Sequence, residues 1–237
     1  MKTIQIALDG PSGSGKSTMA RRISRELGYY YIDTGALYRA VGLFVNRRGI
    51  DPSDEAAVAA ALPDCCVSFD FVNGTQRTML NGKDVSQAIR TPEISQFASK
   101  TSTFSCVRAL LLDVQRTFAR GNNIIMDGRD IGTTILPDAP IKVFLTATAE
   151  DRALRRFQEL RERGEDVSYE SVLREQQERD ARDENREISP LRRAKDAILV
   201  DTTGLSLEEG YQKLRGTIDR CLEELQCGGQ SSSISQN

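Results

Sequence analysis

The sequence predicts an α/β fold: a five-stranded parallel sheet with helices on both faces, interrupted by a small antiparallel β insertion. Three observations predict it. Short apolar runs alternate with longer segments of helical period. Five of these runs each end near an Asp, Gly or Thr. Between Pro63 and Pro92 the alternation breaks, and two Asn-Gly pairs appear instead.

The first strand is read at residues 4–8, followed by a helix from about Lys16. A second strand at 29–32 leads into a helix over 36–46. This βαβα order calls for parallel strands covered on both faces. In the insertion, runs at 67–71, 78–80 and Val85 are separated by Asn73-Gly74 and Asn81-Gly82, the dipeptides that tight hairpin turns favour. Further strands follow at 124–126, 143–145 and 198–200, the first of them approached by a helix carrying Arg108. Residues 152–195 hold 12 Arg or Lys against 11 Asp or Glu with few apolar anchors, which predicts mobile, salt-bridged helices without a core. The polar tail after Cys227 has no periodicity and is expected to be disordered, leaving 1–227 as a single domain and 228–237 outside it.

Composition narrows the chemistry. A net charge of −2 over 237 residues gives no general attraction to nucleic acid or to an anionic membrane, so any anion site is built locally. The near balance of charge within 152–195 argues against a nucleic-acid patch as well. Five cysteines form no CxxC pair and leave one over, so reduced thiols in a cytoplasmic protein are expected. The apolar run at 4–8 is too short for a signal-peptide core or a membrane span. Histidine is absent, which removes Ser-His-Asp triads, Cys-His pairs, histidine metal ligands and a phosphohistidine intermediate. Arginine, lysine, carboxylates, hydroxyls and a metal ion remain.

Gly10-Pro11-Ser12-Gly13-Ser14-Gly15-Lys16-Ser17 fits G-x-x-x-x-G-K-[ST] and lies directly after a strand and before a helix. The glycines let successive N–H groups turn inward on phosphate oxygens, and the helix adds its N-terminal partial charge. Lys16 is expected to bridge the β- and γ-phosphates of ATP, with Ser17 offering its hydroxyl to Mg²⁺. The competing reading, a glycine-rich turn with an incidental lysine, does not explain this placement. Asn81-Gly82-Lys83-Asp84 lacks the spacing of a guanine-binding signature, and without histidine there is no His-Arg-Asp protein-kinase loop.

Three further clusters fall where such sheets bind ligands, beyond the carboxyl ends of the strands. Asp33-Thr34-Gly35-Ala36-Leu37-Tyr38-Arg39 opens a helix and sets Arg39 one turn in, able to fork onto a second phosphate; it also reads as a simple N-cap with a solvated arginine. Asp127-Gly128-Arg129-Asp130 ends a strand, with Asp127 placed to orient the waters of Mg²⁺, Arg129 to hold phosphate and Asp130 to accept from a base or ribose. Around 178–186, Arg179, Arg182, Asp183 and Arg186 share one helix face as a cationic clamp, or form an ordinary solvated face.

Taken in order, these motifs and the run Arg179 to Leu191 resemble the bacterial cytidylate kinases, relatives of adenylate kinase, over nearly the whole chain. The resemblance implies a P-loop NTPase-type sheet, a monophosphate-binding region enlarged by the insertion at 63–92, and a helical lid over 157–187. It implies phosphoryl transfer from Mg·ATP to CMP or dCMP, while the charge balance and the short apolar run above add the expectation of no nucleic-acid or membrane partner, and a monomer is expected. Carried over residue by residue, Gly10 to Thr18 hold ATP, with Arg155 or Arg156 beside its adenine. Thr34, Arg39 and Arg129 hold the acceptor phosphate, Ser99, Arg108 and Asp130 meet cytosine, and Arg179 and Asp183 meet the ribose. Lys16, Arg129, Arg182, Asp183 and Arg186 would form the catalytic set. Two other readings stay open: a kinase for another small acceptor reached by the same core, such as UMP, shikimate or dephospho-coenzyme A, and an ATP-dependent regulatory or nucleic-acid-binding switch.

Overall fold

The computed structural model describes residues 3–231. Strands β1 (Gln5–Asp9), β2 (Tyr30–Asp33), β6 (Ile124–Gly128), β7 (Ile141–Thr146) and β8 (Ile198–Asp201) form a five-stranded sheet in the order β2-β6-β1-β7-β8. Every pairing in it is parallel. Helices α1 (Lys16–Leu27), α2 (Thr34–Arg47), α5 (Ser105–Gly121), α6 (Ala149–Glu162), α7 (Tyr169–Asn185) and α8 (Leu207–Ser231) complete the main body.

Period-two alternation along the strands builds the two halves of the core. Ile6, Leu8 and Ile125 pack with Ile23 of α1 and Leu214 of α8. Ala7, Ile124 and Met126 face the other way, onto Ala119 of α5. A sheet buried on both faces needs apolar residues at consecutive positions, which is why β1 and β6 read as unbroken apolar runs. Register then levels their ends, with Asp9 opposite Gly128 and Asp33 opposite Asp127.

The insertion is an antiparallel sheet of β3 (Val67–Val72), β4 (Thr75–Leu80) and β5 (Lys83–Asp84). Both turns are left-handed at two successive residues, Asn73 and Gly74 (φ 51° and 72°), then Asn81 and Gly82 (φ 49° and 75°). That is the backbone twist Asn-Gly supplies with least strain. The hairpin lies against the β2 edge of the large sheet: Gln76 Oε1 accepts from the backbone N–H of Asp33 at 2.8 Å. Helices α3 (Glu55–Ala61) and α4 (Pro92–Thr101) flank this region and were not anticipated.

Helices α6 and α7 do have a core, contrary to the reading of residues 152–195. Ala153, Leu160 and Val172 form a small apolar cluster with Phe157 and Tyr169 packed against it. Arg152 and Asp180 are buried together as an ion pair at 2.7 Å. Charge counts along the chain hid this, because the apolar anchors are few and come from two helices. Helix α8 runs on to Ser231, past the boundary expected at 227, and residues 232–237 of the expected tail lie outside the described residues. Among the described residues no helix is long and apolar enough to cross a membrane.

Candidate active site

The glycine-rich loop joins β1 to α1 at the level carboxyl ends of the strands. Its last glycine, Gly15, is left-handed (φ 87°), and no side chain caps α1. The first N–H groups of the helix are therefore free to receive an anion. A Cβ at Gly10 would stand 1.9 Å from the carbonyl oxygen of Leu145, so only glycine lets the loop lie on β7. Lys16 Nζ donates to Pro11 O at 2.6 Å and Ser14 Oγ at 3.1 Å, curled inside its own loop. Burial, with help from the Arg129 charge, pushes the Lys16 ammonium well below the usual lysine range.

Ser17 Oγ donates to Asp127 Oδ2 at 2.7 Å, bringing together the two residues expected to serve a metal. Tyr31 OH steadies the other carboxylate oxygen at 3.0 Å. Burial raises the Asp127 carboxyl, and nearby Asp33 adds to the shift. A hydroxyl and a carboxylate suit Mg²⁺, which prefers oxygen and keeps several waters. Among the described residues no group of three or more His, Cys, Asp or Glu is placed to hold a metal.

The loop opens on a cleft of about 380 Å³ that also receives Thr34, Arg39, Ser99, Arg108, Arg129, Asp130, Arg179, Asp183 and Arg186. That volume falls within the range of small-molecule sites. Thr34 Oγ1 donates to Asp127 O at 2.7 Å. Asp33 holds Arg39 at 3.0 Å and Arg90 at 3.1 Å. Burial works to raise the Asp33 carboxyl, but these two guanidinia outweigh it and hold it below the usual range. Arg129 Nε donates to Asp183 Oδ2 at 2.8 Å, joining the end of β6 to α7. Burial and the Arg129 charge lower Arg179 to about 10.

Deeper in the cleft, Asp130 accepts from Arg108 on one oxygen and from Arg186, at 3.2 Å, on the other. The Arg108 guanidinium lies 5.5 Å from the centre of the Tyr38 ring. Three buried donors here have no hydrogen-bond partner: Arg39 Nε, Arg179 Nε and Ser99 Oγ. Buried polar groups are nearly always paired, and an unpaired one costs about 1–3 kcal/mol. All three belong to residues expected to hold the acceptor, which marks where a polar ligand fits.

Two expected residues do not join this set. Arg182 is exposed on α7 and stays outside the cleft. At 100° per residue it sits about 60° round from Arg179, at the solvent edge of the face that Asp183 centres. Arg156 pairs with Glu159 at 3.1 Å, whereas Arg155 lines the cleft and donates to Thr202 O at 2.8 Å. Within the loop, Gly10, Pro11 and Ser14 form its buried underside, while Ser12, Gly13, Gly15, Lys16, Ser17 and Thr18 face the cleft.

Sequence reasoning missed Arg90, Arg152 and Gln176. Arg152 Nη1 donates to Ser12 O at 3.0 Å while its salt bridge holds Asp180 of α7. A Cβ at Gly13 would meet Gln176 Nε2 at 2.5 Å, so α7 packs directly on the loop. No local signal separates Arg152 and Gln176 from the charged helix surface around them, or marks Arg90 at the end of the short turn Ala88–Arg90.

Comparison with known proteins bears on this geometry. A family model described as cytidylate kinase matches residues 6–220. A cytidylate kinase of Caldicellulosiruptor bescii is 49% identical over 214 residues, covering 90% of this chain and 95% of the relative. A cytidylate kinase of Carboxydothermus hydrogenoformans is 46% identical over 217 residues, covering 92% and 98%. One from Geobacter sulfurreducens is 45% identical over 213 residues, covering 90% and 91%. With the family model spanning most of the chain and relatives 45–49% identical along nearly all of it, on a sheet whose glycine-rich loop and arginine-lined subsite agree, the chain belongs to the cytidylate kinase family.

Proposed function

We propose that this protein transfers the γ-phosphoryl group of ATP to CMP and dCMP, giving ADP and the corresponding diphosphate by direct in-line displacement. One observation carries the reading: the phosphate loop and a second, arginine-lined subsite with unpaired buried donors open on a single cleft. An ATPase needs only the first. A phosphate bound on the amides of α1 would draw Lys16 away from Pro11 O, and its ammonium would follow the β- and γ-oxygens. Ser17 and Asp127 would hold Mg²⁺, which when bound neutralises charge on those oxygens.

On the acceptor side Arg39 and Arg129 hold the monophosphate, with Arg90 as a third candidate. The Asp33 carboxylate keeps Arg39 and Arg90 pointed inward meanwhile. Ser99, Arg108 and Asp130 read cytosine, while Arg179 and Asp183 take the ribose. A loose transition state demands little proton abstraction, so no general base is required and positioned charge supplies most of the rate. The helices α6 and α7 act as the lid that excludes water. Five cysteines with no CxxC pair favour reduced thiols and so a cytoplasmic enzyme, which on this proposal acts as a monomer.

The test uses γ-labelled ATP. Label should appear in CDP when CMP is present and remain in ATP when it is absent. Label recovered as inorganic phosphate at the same rate with and without CMP, or bound covalently to the protein, would overturn the proposal.

A further inference from the structure

Asp9 is the last residue of β1, and its backbone runs straight into Gly10 of the phosphate loop. Its side chain points the other way. Oδ1 accepts from the N–H of Ile131 at 2.7 Å and Oδ2 from the N–H of Gly132 at 2.8 Å. These are the first two residues of a wide helical turn, Ile131–Ile135, that begins directly after Asp130. The turn closes back on Asp130, whose carbonyl oxygen accepts from Thr134 N at 2.9 Å and Ile135 N at 3.1 Å.

The N-terminal amides of such a turn have no partner of their own, and here one carboxylate satisfies two of them. Asp9 is 3% exposed. Burial raises its carboxyl to about 6 even though both amides oppose the shift. Holding a charged group in this position costs stability, so filling space alone does not account for it. What the carboxylate does achieve is a rigid link between two loops that bind different substrates.

Resting on the phosphotransfer reading above, we infer that Asp9 is a positioning residue: through Ile131 and Gly132 it sets Asp130 and Arg129 relative to the phosphate loop. The base-reading carboxylate and the acceptor-phosphate arginine then stand at a fixed distance from the donor, although Asp9 touches neither substrate. Its influence should fall on the acceptor, because the hydrogen bonds run to the Asp130 turn, while the loop keeps its own glycines and Lys16 contacts.

The experiment compares Asp9→Asn with the wild type. The amide retains one acceptor oxygen and sets a donor against a backbone N–H, so the turn loses one of its two ties. The expected result is a KM for CMP raised about tenfold, a narrowed CMP-to-UMP ratio in kcat/KM, and a non-hydrolysable ATP analogue bound within about twofold of wild type. Equal losses for CMP and for the ATP analogue, or an unchanged CMP-to-UMP ratio, would overturn the inference. Gly132→Ala provides a second route should Asp9→Asn fail to fold. Its Cβ would stand 3.4 Å from Asp9 Oδ2 and 3.2 Å from Lys142 Cδ, crowding the link without changing a charge. It should narrow the same ratio to a smaller degree, and an unchanged ratio in a folded Gly132→Ala protein would likewise overturn the inference. Failure of the phosphotransfer reading itself looks different, since the wild-type protein would then show no preference for CMP.

Discussion

Replacing Asp130 by alanine separates base reading from general binding. The carboxylate is buried between Arg108 and Arg186, one on each oxygen. Its removal leaves Arg108 without its counter-charge and Arg186 with only nearby Asp183, a change that costs about 3–5 kcal/mol of stability for a buried pair. Activity alone is therefore a poor readout, because part of the protein unfolds. The ratio of kcat/KM for CMP to that for UMP avoids the difficulty, since both are measured on the same folded molecules. Cytosine presents an exocyclic amino donor and a ring-nitrogen acceptor, and uracil reverses both. If Asp130 reads the base as proposed, uracil in the wild type would set a carbonyl oxygen against its carboxylate, an unpaired buried contact worth about 1–3 kcal/mol. Asp130→Ala should accordingly narrow the ratio by roughly 5- to 150-fold. The assay is coupled ADP release with each acceptor, run below the unfolding midpoint of the variant. Arg39→Ala is the control and should depress both acceptors alike, because its proposed partner is the acceptor phosphate. A ratio unchanged in Asp130→Ala would refute the assignment and leave base selection to Arg108 and Ser99.

Three further outcomes follow from other parts of the site. Lys16→Ala should lower turnover by roughly 10²–10³ without lowering the melting midpoint, because burial already disfavours the ammonium in the free protein. A variant retaining most of its turnover would remove the proposed mechanism. Ser99→Ala deletes a hydroxyl that has no partner in the free protein, so stability should hold while kcat/KM for CMP falls roughly 2- to 12-fold. Lost stability with unaltered kinetics would contradict the reading of that hydroxyl as a ligand contact. The Asp9 carboxyl, raised from 3.8 to about 6, binds its proton more tightly in the folded than in the unfolded chain, so its penalty is present above the folded pKa and relieved as pH falls. From about pH 7 to about pH 4.5 the urea-unfolding stability of wild type relative to Asp9→Asn should rise by about 2 kcal/mol. A drift of the opposite sign would show that the carboxylate is not desolvated as described.

The legible parts of this protein are those whose cause is local in sequence. Two Asn-Gly pairs imply two left-handed turns wherever they occur between short strands, and the insertion is built on both. The glycine-rich loop carries its own chemistry in eight consecutive residues, and Asp127 to Asp130 follow an apolar run that only an interior strand explains. Where the cause is distant, the sequence is silent. The turn at Ile131–Ile135 depends on Asp9, more than a hundred residues earlier, and nothing in Ile-Gly-Thr-Thr-Ile announces it. Arg90 enters the cleft only because Asp33 draws it in, and Arg152 is buried only because the loop and α7 close around it. The displacement of Arg182 has another origin: helical spacing defines a face, but packing decides which edge of that face meets solvent.

On the proposed mechanism one cleft brings ATP and a cytidine monophosphate together for direct transfer. ADP release measured across CMP, dCMP, UMP, AMP and GMP under identical conditions tests it most directly. The expected result is kcat/KM for CMP or dCMP at least about a hundredfold above AMP and GMP, with UMP well below CMP and negligible ADP release when no acceptor is present. Equal rates for all acceptors, a preference for another of them, or ADP release independent of any acceptor would contradict it.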